Sequence, residues 1–264
     1  MTSPGASSWL ADRNPTVKFL VLLAVSAVLL GVFDPWTPAL LYVLALAGVL
    51  AAGRIPWRRL LAAHTPFALF GFSLLTVNAV TRPGRLAWQW GWLDVTQEGL
   101  LVGGSLAIRT LVIGVCAIGF VLTTDGTRLM VSFHQQLRLG PRLTYAILAG
   151  YRLLEQLPAE WQTIRMAQAI RSGSTRHEAL PRSPRALGRA AFALLVTAIR
   201  RGERMSIALE TRGLGDGPRT IHRPVPLDRR DASLAAGVLG VVAATLAVGA
   251  LAGWLQGPSA LGVF

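Results

Sequence analysis

The chain has 264 residues, 52% of them hydrophobic and only 15% charged, where a soluble domain carries nearer a quarter; this is the balance of a protein embedded in lipid. Its formal net charge of +13, from 26 basic and 13 acidic residues, points to anionic lipid or an acidic protein surface, and the bilayer-like composition argues against nucleic acid. The only lysine, Lys18, has no glycine-rich loop before it and the only cysteine is Cys116, which excludes a Walker-type nucleotide site, a disulfide framework and a thiolate metal centre.

About 20 mostly apolar residues are needed to cross a bilayer, somewhat fewer where flanking arginines snorkel. Five segments meet or approach this: 17–33, 36–53, 65–80, 99–122 and 232–255. Arg13 and Lys18 precede the first. No small-x-small cleavage site follows it, and Gly31-Val32-Phe33-Asp34-Pro35-Trp36 leads straight into the second, so it reads as a span rather than a leader. Arg54, Arg58 and Arg59 follow the second span. The loop after the third carries Arg82 and Arg85, then Trp88, Trp90 and Trp92 in alternation, as an aromatic anchor at the membrane surface would.

Arg109 lies deep in the fourth span. An arginine at that depth normally faces protein, a polar partner or a cavity. It reads either as part of an ion pathway or as a buried structural clamp. With no acidic residue inside any span to relay a proton, the clamp is preferred.

Residues 123–231, between the fourth and fifth spans, hold 18 arginines and 9 acids. Together with Arg13, Lys18 and the cations after span two they fall on one side of the membrane, which the positive-inside rule makes the cytoplasm. The expected architecture is an all-α membrane protein of about five transmembrane helices, with a cytoplasmic coupling domain of long crossing helices between spans four and five. Its divisions are 1–122, 123–231 and 232–264, with the N-terminus cytoplasmic and the C-terminus outside.

Two long helical patterns fill the cytoplasmic segment. The first runs from near Pro141 to Arg171, before Ser172-Gly173-Ser174. The second opens on Ser183 as N-cap with Pro184 at the first helical position, and runs to Arg212, where Gly213 stops it. At 1.5 Å per residue it is about 45 Å long. From Ala190 to Ile199 it is uncharged, so its middle is packed on all sides or lies against the membrane surface. The two ends resemble one another: Ile170-Arg171-Ser172 closes the first helix and Thr211-Arg212-Gly213 the second. One such arginine is an ordinary helix cap, since a cation there opposes the negative end of the dipole. The repetition points further, to five-donor forks projecting from helix tips toward carboxylates on another protein. His64, His134, His177 and His222 are scattered without ligand spacing, so no metal site, catalytic residue or cofactor is expected.

Nearly the whole chain resembles the transmembrane (T) component of energy-coupling factor transporters, the family that includes the cobalt-transporter subunit. The resemblance is carried by Asn14-Pro15-Thr16-Val17-Lys18, Ile55-Pro56-Trp57-Arg58-Arg59-Leu60-Leu61, Thr96-Gln97-Glu98-Gly99-Leu100, Arg109, Leu122-Thr123-Thr124-Asp125, Arg152 and Glu160. The most specific matches are the two signatures at Arg171 and Arg212, similar to the family's Ala-Arg-Gly. Both keep the arginine, neither keeps the leading alanine, and Ser172 replaces the first glycine. The resemblance implies that these tips dock into two cytoplasmic ABC ATPase subunits. ATP-driven closing of that pair would then move the helices and tip a membrane-embedded substrate-binding (S) component. It implies a non-catalytic subunit in a bacterial cell membrane. Gly217-Pro218-Arg219-Thr220 with Arg223 is similar to the branch that imports thiamine or its pyrimidine precursor, with cobalt or nickel as the alternative cargo.

Two rival classes fit less well. A membrane enzyme would want clustered carboxylates, whereas Asp125, Glu155, Glu160, Glu203 and Glu210 form no paired motif. A self-sufficient secondary transporter would show an inverted repeat or a charged site at midplane, and only Arg109 fits.

Overall fold

In chain order the elements are α1 (Pro15–Leu30), α2 (Trp36–Gly53), α3 (Trp57–Thr81), β1 (Leu86–Trp90), β2 (Leu93–Thr96), α4 (Gln97–Leu122), α5 (Gly126–Gln136), α6 (Pro141–Arg171), α7 (Pro184–Thr211) and α8 (Arg229–Leu251). The computed structural model describes residues 8–90, 93–171, 183–214 and 224–254 and divides into two units, Met1–Asp125 with Pro226–Phe264, and Gly126–Val225. The fold is nearly all-α. Its one sheet among the described residues is an antiparallel hairpin of β1 and β2, whose first strand holds Trp88 and Trp90.

In the first unit α2, α3, α4 and α8 are long and apolar enough to cross a membrane. The first expected span is shorter than its hydropathy implied, because α1 ends at Leu30 with Gly31 as its C-cap. Pro35, which disfavours helix in the residue before it, then starts the next element. Sixteen residues rise about 24 Å, against about 30 Å of hydrocarbon. By contrast α3 begins at Trp57 rather than residue 65, with Pro56 as its extended N-cap, and continues through Pro66. Residues 57–64, which hydropathy left outside the third span, are therefore the first two turns of a helix. A proline inside a helix loses one backbone bond, and here tertiary packing outweighs that loss.

α4 is the hub of this unit. Its Val112 and Val115 are fully buried, and Val112 shares a cluster with Val25 and Leu29 of α1, Leu41 of α2 and Val242 of α8. Against α3 it presents glycines, as helices in lipid do when close backbone approach drives their packing. A Cβ built at Gly103 would lie 2.9 Å from the Leu75 carbonyl oxygen, and one at Gly99 only 2.4 Å from that of Asn78. The next residue, Gly104, has nothing within 4 Å. Gly103→Val should therefore force α3 and α4 apart and lower the thermal midpoint of the purified protein, at a cost of about 1–3 kcal/mol. Gly104→Val should leave the midpoint nearly unchanged; equal effects at the two sites would refute close packing as the reason for Gly103.

The short sequence motifs turn out to be fasteners at helix ends. Asn14 caps α1 through the Thr16 N–H (2.9 Å), while its own N–H donates to Asp231 of the α8 capping box (2.8 Å). Lys18, buried despite its charge, donates from Nζ to the Thr123 carbonyl at the end of α4 (2.9 Å), where a cation meets the negative pole of that helix. Thr96 caps α4 by accepting from the Gly99 N–H and donates to the Arg82 carbonyl (2.9 Å), and Glu98 accepts from the Arg85 N–H (2.7 Å).

The second unit contains a helix that sequence reasoning missed. α5 has only 11 residues, too few to stand out beside the two long patterns. Gly126 lets the Tyr151 ring of α6 approach within 2.9 Å of where a Cβ would be. The His134 ring faces the Leu139 carbonyl and the Thr144 hydroxyl in the turn to α6, which includes Arg138 at φ 54°. Gln135 and Gln136 hold the backbone of Val225 from both its N–H and its carbonyl. α6 runs unbroken through Pro158.

Candidate functional site

α6 and α7 lie antiparallel. The register is set by Arg201 of α7, which donates to Gln156 (2.7 Å) and pairs with Glu160 (2.5 Å) on α6. At one end Tyr145 of α6 lies beside Arg212 of α7 on the wall of a common groove. Two helices that run in opposite directions put their C-terminal tips at opposite ends of the pair. Arg171 and Arg212 are thus separated by most of a helix length, about 40 Å at 1.5 Å per residue.

The α7 tip is built by a Schellman closure. Ser183 starts the helix by accepting from the Ala186 N–H, with Pro184 following. At the other end Gly213 adopts φ 73°, its N–H donates to the Glu210 carbonyl (2.8 Å), and the Leu214 N–H reaches back to Leu209 (2.9 Å). Thr211 turns its hydroxyl to the Ala208 carbonyl (3.1 Å), which leaves Arg212 as the projecting group. Beside it runs a groove of about 540 Å³ lined by Arg152, Arg201, Arg204 and Arg212. Sequence reasoning singled out Arg152 and Arg212 but not Arg201 and Arg204. Their signal was the basic run Arg200-Arg201-Gly202-Glu203-Arg204, whose meaning depends on which helix faces it.

The α6 tip is simpler. Arg171 is exposed and Ile170 beside it is 78% exposed, an apolar side chain offered to a neighbour rather than to the core. Ser172, His177, His222, Trp92 and the Gly217-Pro218-Arg219-Thr220 stretch with Arg223 lie outside the described residues. The uncharged middle of α7 is packed on one side only: Ala190 is fully buried against the unit, while Phe192, Leu195 and Ile199 are exposed.

In the first unit Arg109 faces the turn between α1 and α2. Its Nη2 donates to the Val32 carbonyl, and its guanidinium lies 5.7 Å from the centre of the Phe33 ring. One turn away on α4, the Ser105 hydroxyl donates to the Asp34 carbonyl (3.0 Å). Asp34, which sequence reasoning passed over, is buried and accepts from the Thr37 N–H (2.7 Å), starting α2. Irregular backbone at membrane depth survives only where protein satisfies it. Arg109 and Ser105 do that for this turn, which α1 creates by ending short. Among the described residues no three His, Cys, Asp or Glu side chains form a group able to hold a metal ion. His64 is a buried residue of α3 between Tyr42 and Phe67.

The family model described as cobalt transport protein matches residues 6–221. The chain is 27% identical over 201 residues to the energy-coupling factor transporter transmembrane protein EcfT of Heliobacterium modesticaldum, covering 73% of this chain and 75% of that one. With the EcfT of Brevibacillus brevis it shares 25% identity over 262 residues, 95% of each. It is also 27% identical over 252 residues to an ABC transporter ATP-binding protein of Bifidobacterium longum; that match takes in 92% of this chain but spans only 32% of the Bifidobacterium protein.

Proposed function

The chain belongs to the cobalt transport protein family, and from that premise we propose that it is the energy-coupling transmembrane subunit of an ABC-type importer. In this reading it carries the ATP-driven motion of two cytoplasmic ATPase subunits to a membrane-embedded S component. The observation that carries the proposal is the placement of two arginine-bearing tips at opposite ends of one antiparallel helix pair. One rigid pair can then grip two subunits at once. The EcfT relatives support the transporter role, and the Bifidobacterium relative supports an ATPase partner. Arg171 with Ile170 and Ser172, and Arg212 with Thr211 and Gly213, are the coupling residues of this reading. Arg109 is a structural clamp within the membrane.

The cargo is a vitamin, thiamine or its pyrimidine precursor. The alternative cargo is cobalt or nickel, carried by the same machinery, and the family description supports cobalt. The test is to express the tagged chain with its chromosomal neighbours. Two ATPases and a small membrane protein should co-purify, and uptake of labelled thiamine or of Co²⁺ should require ATP. Purification of the chain without any ATPase, from cells that express them, would overturn the reading.

Orientation follows the arginines: N-terminus and residues 123–231 in the cytoplasm, the end of α8 outside. In a Cys116→Ser background, an impermeant thiol reagent applied to intact cells should label Ala252→Cys and spare Ser206→Cys. The opposite pattern would invert the topology.

A further inference from the structure

A slot of about 330 Å³ opens between α2 and α8 in the first unit. Its walls include Leu44 and Gly48 of α2 and Gly237 and Val241 of α8, and its floor is Val112 and Cys116 of α4. A Cβ built at Gly48 or Gly237 meets nothing within 4 Å, so the space is real and not the seat of a neighbouring side chain. Both walls are helices of membrane-spanning length and hydropathy, so the medium around the slot is lipid. An α-helix with its side chains is about 10–12 Å across and cannot enter a space of this size. A single flexible acyl chain can.

One end of the slot is marked by Ala52 near the close of α2 and Ser233 near the start of α8. Arg229 and Arg230 stand one turn before Ser233, and Arg54 follows α2 directly. All three are exposed, and none forms an ion pair with a described residue. The acids among them are already engaged: Asp231 accepts from the Asn14 and Asp228 N–H groups, and Asp228 from that of Arg229. Exposed cations on the segments that flank this end of an apolar slot complement a negative headgroup on an apolar chain.

We infer that this slot is a lipid site. One acyl chain of an anionic phospholipid lies between α2 and α8, with its phosphate held by Arg54, Arg229 and Arg230. The proposal is independent of how the chain couples to its partners.

The full chain is purified in detergent, supplied with dioleoyl-phosphatidylglycerol or dioleoyl-phosphatidylcholine, and its retained lipid counted by native mass spectrometry. The wild type should retain the anionic lipid roughly tenfold in preference. Arg54→Gln, Arg229→Gln and Arg230→Gln together should abolish the preference. Gly48→Leu with Gly237→Leu should exclude the chain of either lipid. Leucine is the better helix former, so the thermal midpoint should be held or raised. Cys116, on the slot floor, supplies a readout without any variant. Adding phosphatidylglycerol should slow its modification by N-ethylmaleimide several-fold, and phosphatidylcholine should do so less. Equal retention of the two lipids by the wild type, unchanged retention by the leucine-filled variant, or a Cys116 rate indifferent to lipid would each overturn the site.

Discussion

Replacing Arg171 and Arg212 together with glutamate should release both ATPase subunits from the tagged chain and abolish ATP-driven uptake, while the membrane helices remain folded. Truncating one partner of a buried, hydrogen-bonded charge pair at an interface typically costs about 2–5 kcal/mol, and reversing its sign adds repulsion. The single variants should differ. Arg212 stands on a tip locked by the Gly213 closure and shares its groove with Arg152, Arg201 and Arg204. A glutamate there turns attraction for an acidic partner into repulsion, beside a groove that three further arginines line. Arg171 stands at an exposed helix end, with the exposed Ile170 in the place that alanine takes in the family signature. Co-purification of the ATPases should therefore fall further in Arg212→Glu than in Arg171→Glu. Lysine at either position should rescue only in part, because a point charge cannot reproduce the planar fork. If the double reversal leaves assembly and uptake intact, the two arginines are ordinary helix caps and the coupling proposal fails.

Arg109→Leu should lower the yield of folded protein sharply. The turn after α1 lies level with the interior of α4, and its Val32 carbonyl takes a hydrogen bond from Arg109. Without that donor a carbonyl is left unsatisfied out of reach of water, at a cost of about 1–3 kcal/mol in a protein interior and more in hydrocarbon. Ser105→Ala removes only the neutral bond to the Asp34 carbonyl and should cost about 1 kcal/mol. The ordering of the two is the test, read as monodisperse protein recovered after extraction and as thermal midpoint. A variant Arg109→Leu that folds and assembles normally yet transports nothing would instead place this arginine on a pathway.

The most specific sequence motifs serve two purposes that sequence alone does not separate. Asn14 to Lys18 and Thr96 to Leu100 fasten helix ends: the side chains of Asn14, Lys18, Thr96 and Glu98 each bond a backbone group. The signatures at Arg171 and Arg212 do the reverse. Gly213 closes α7 beside Arg212, and both arginines are exposed. A motif whose side chains are consumed internally supports the fold, and one that leaves a charged fork unspent is available to a partner.

The sequence by itself determined the features written in contiguous residues. The limits of α2 follow from its hydropathy, and the Ser183-Pro184 start and Gly213 stop of α7 from local backbone chemistry that needs no distant partner. The arginine tips were legible for the same reason. Tertiary structure alone decided what depends on residues far apart in the chain. α1 stops at Leu30 because the turn after it can be satisfied by Ser105 and Arg109 of α4. α3 runs through Pro66 because its packing against α4 outweighs one missing backbone bond. Arg201 and Arg204 join Arg212 only once α7 lies antiparallel on α6, and Asp34 becomes a buried cap only when α4 covers it. Hydropathy and capping are sums over neighbours within a few turns, whereas each of these outcomes turns on which helix faces which, and that is settled by packing and hydrogen bonding across the whole unit.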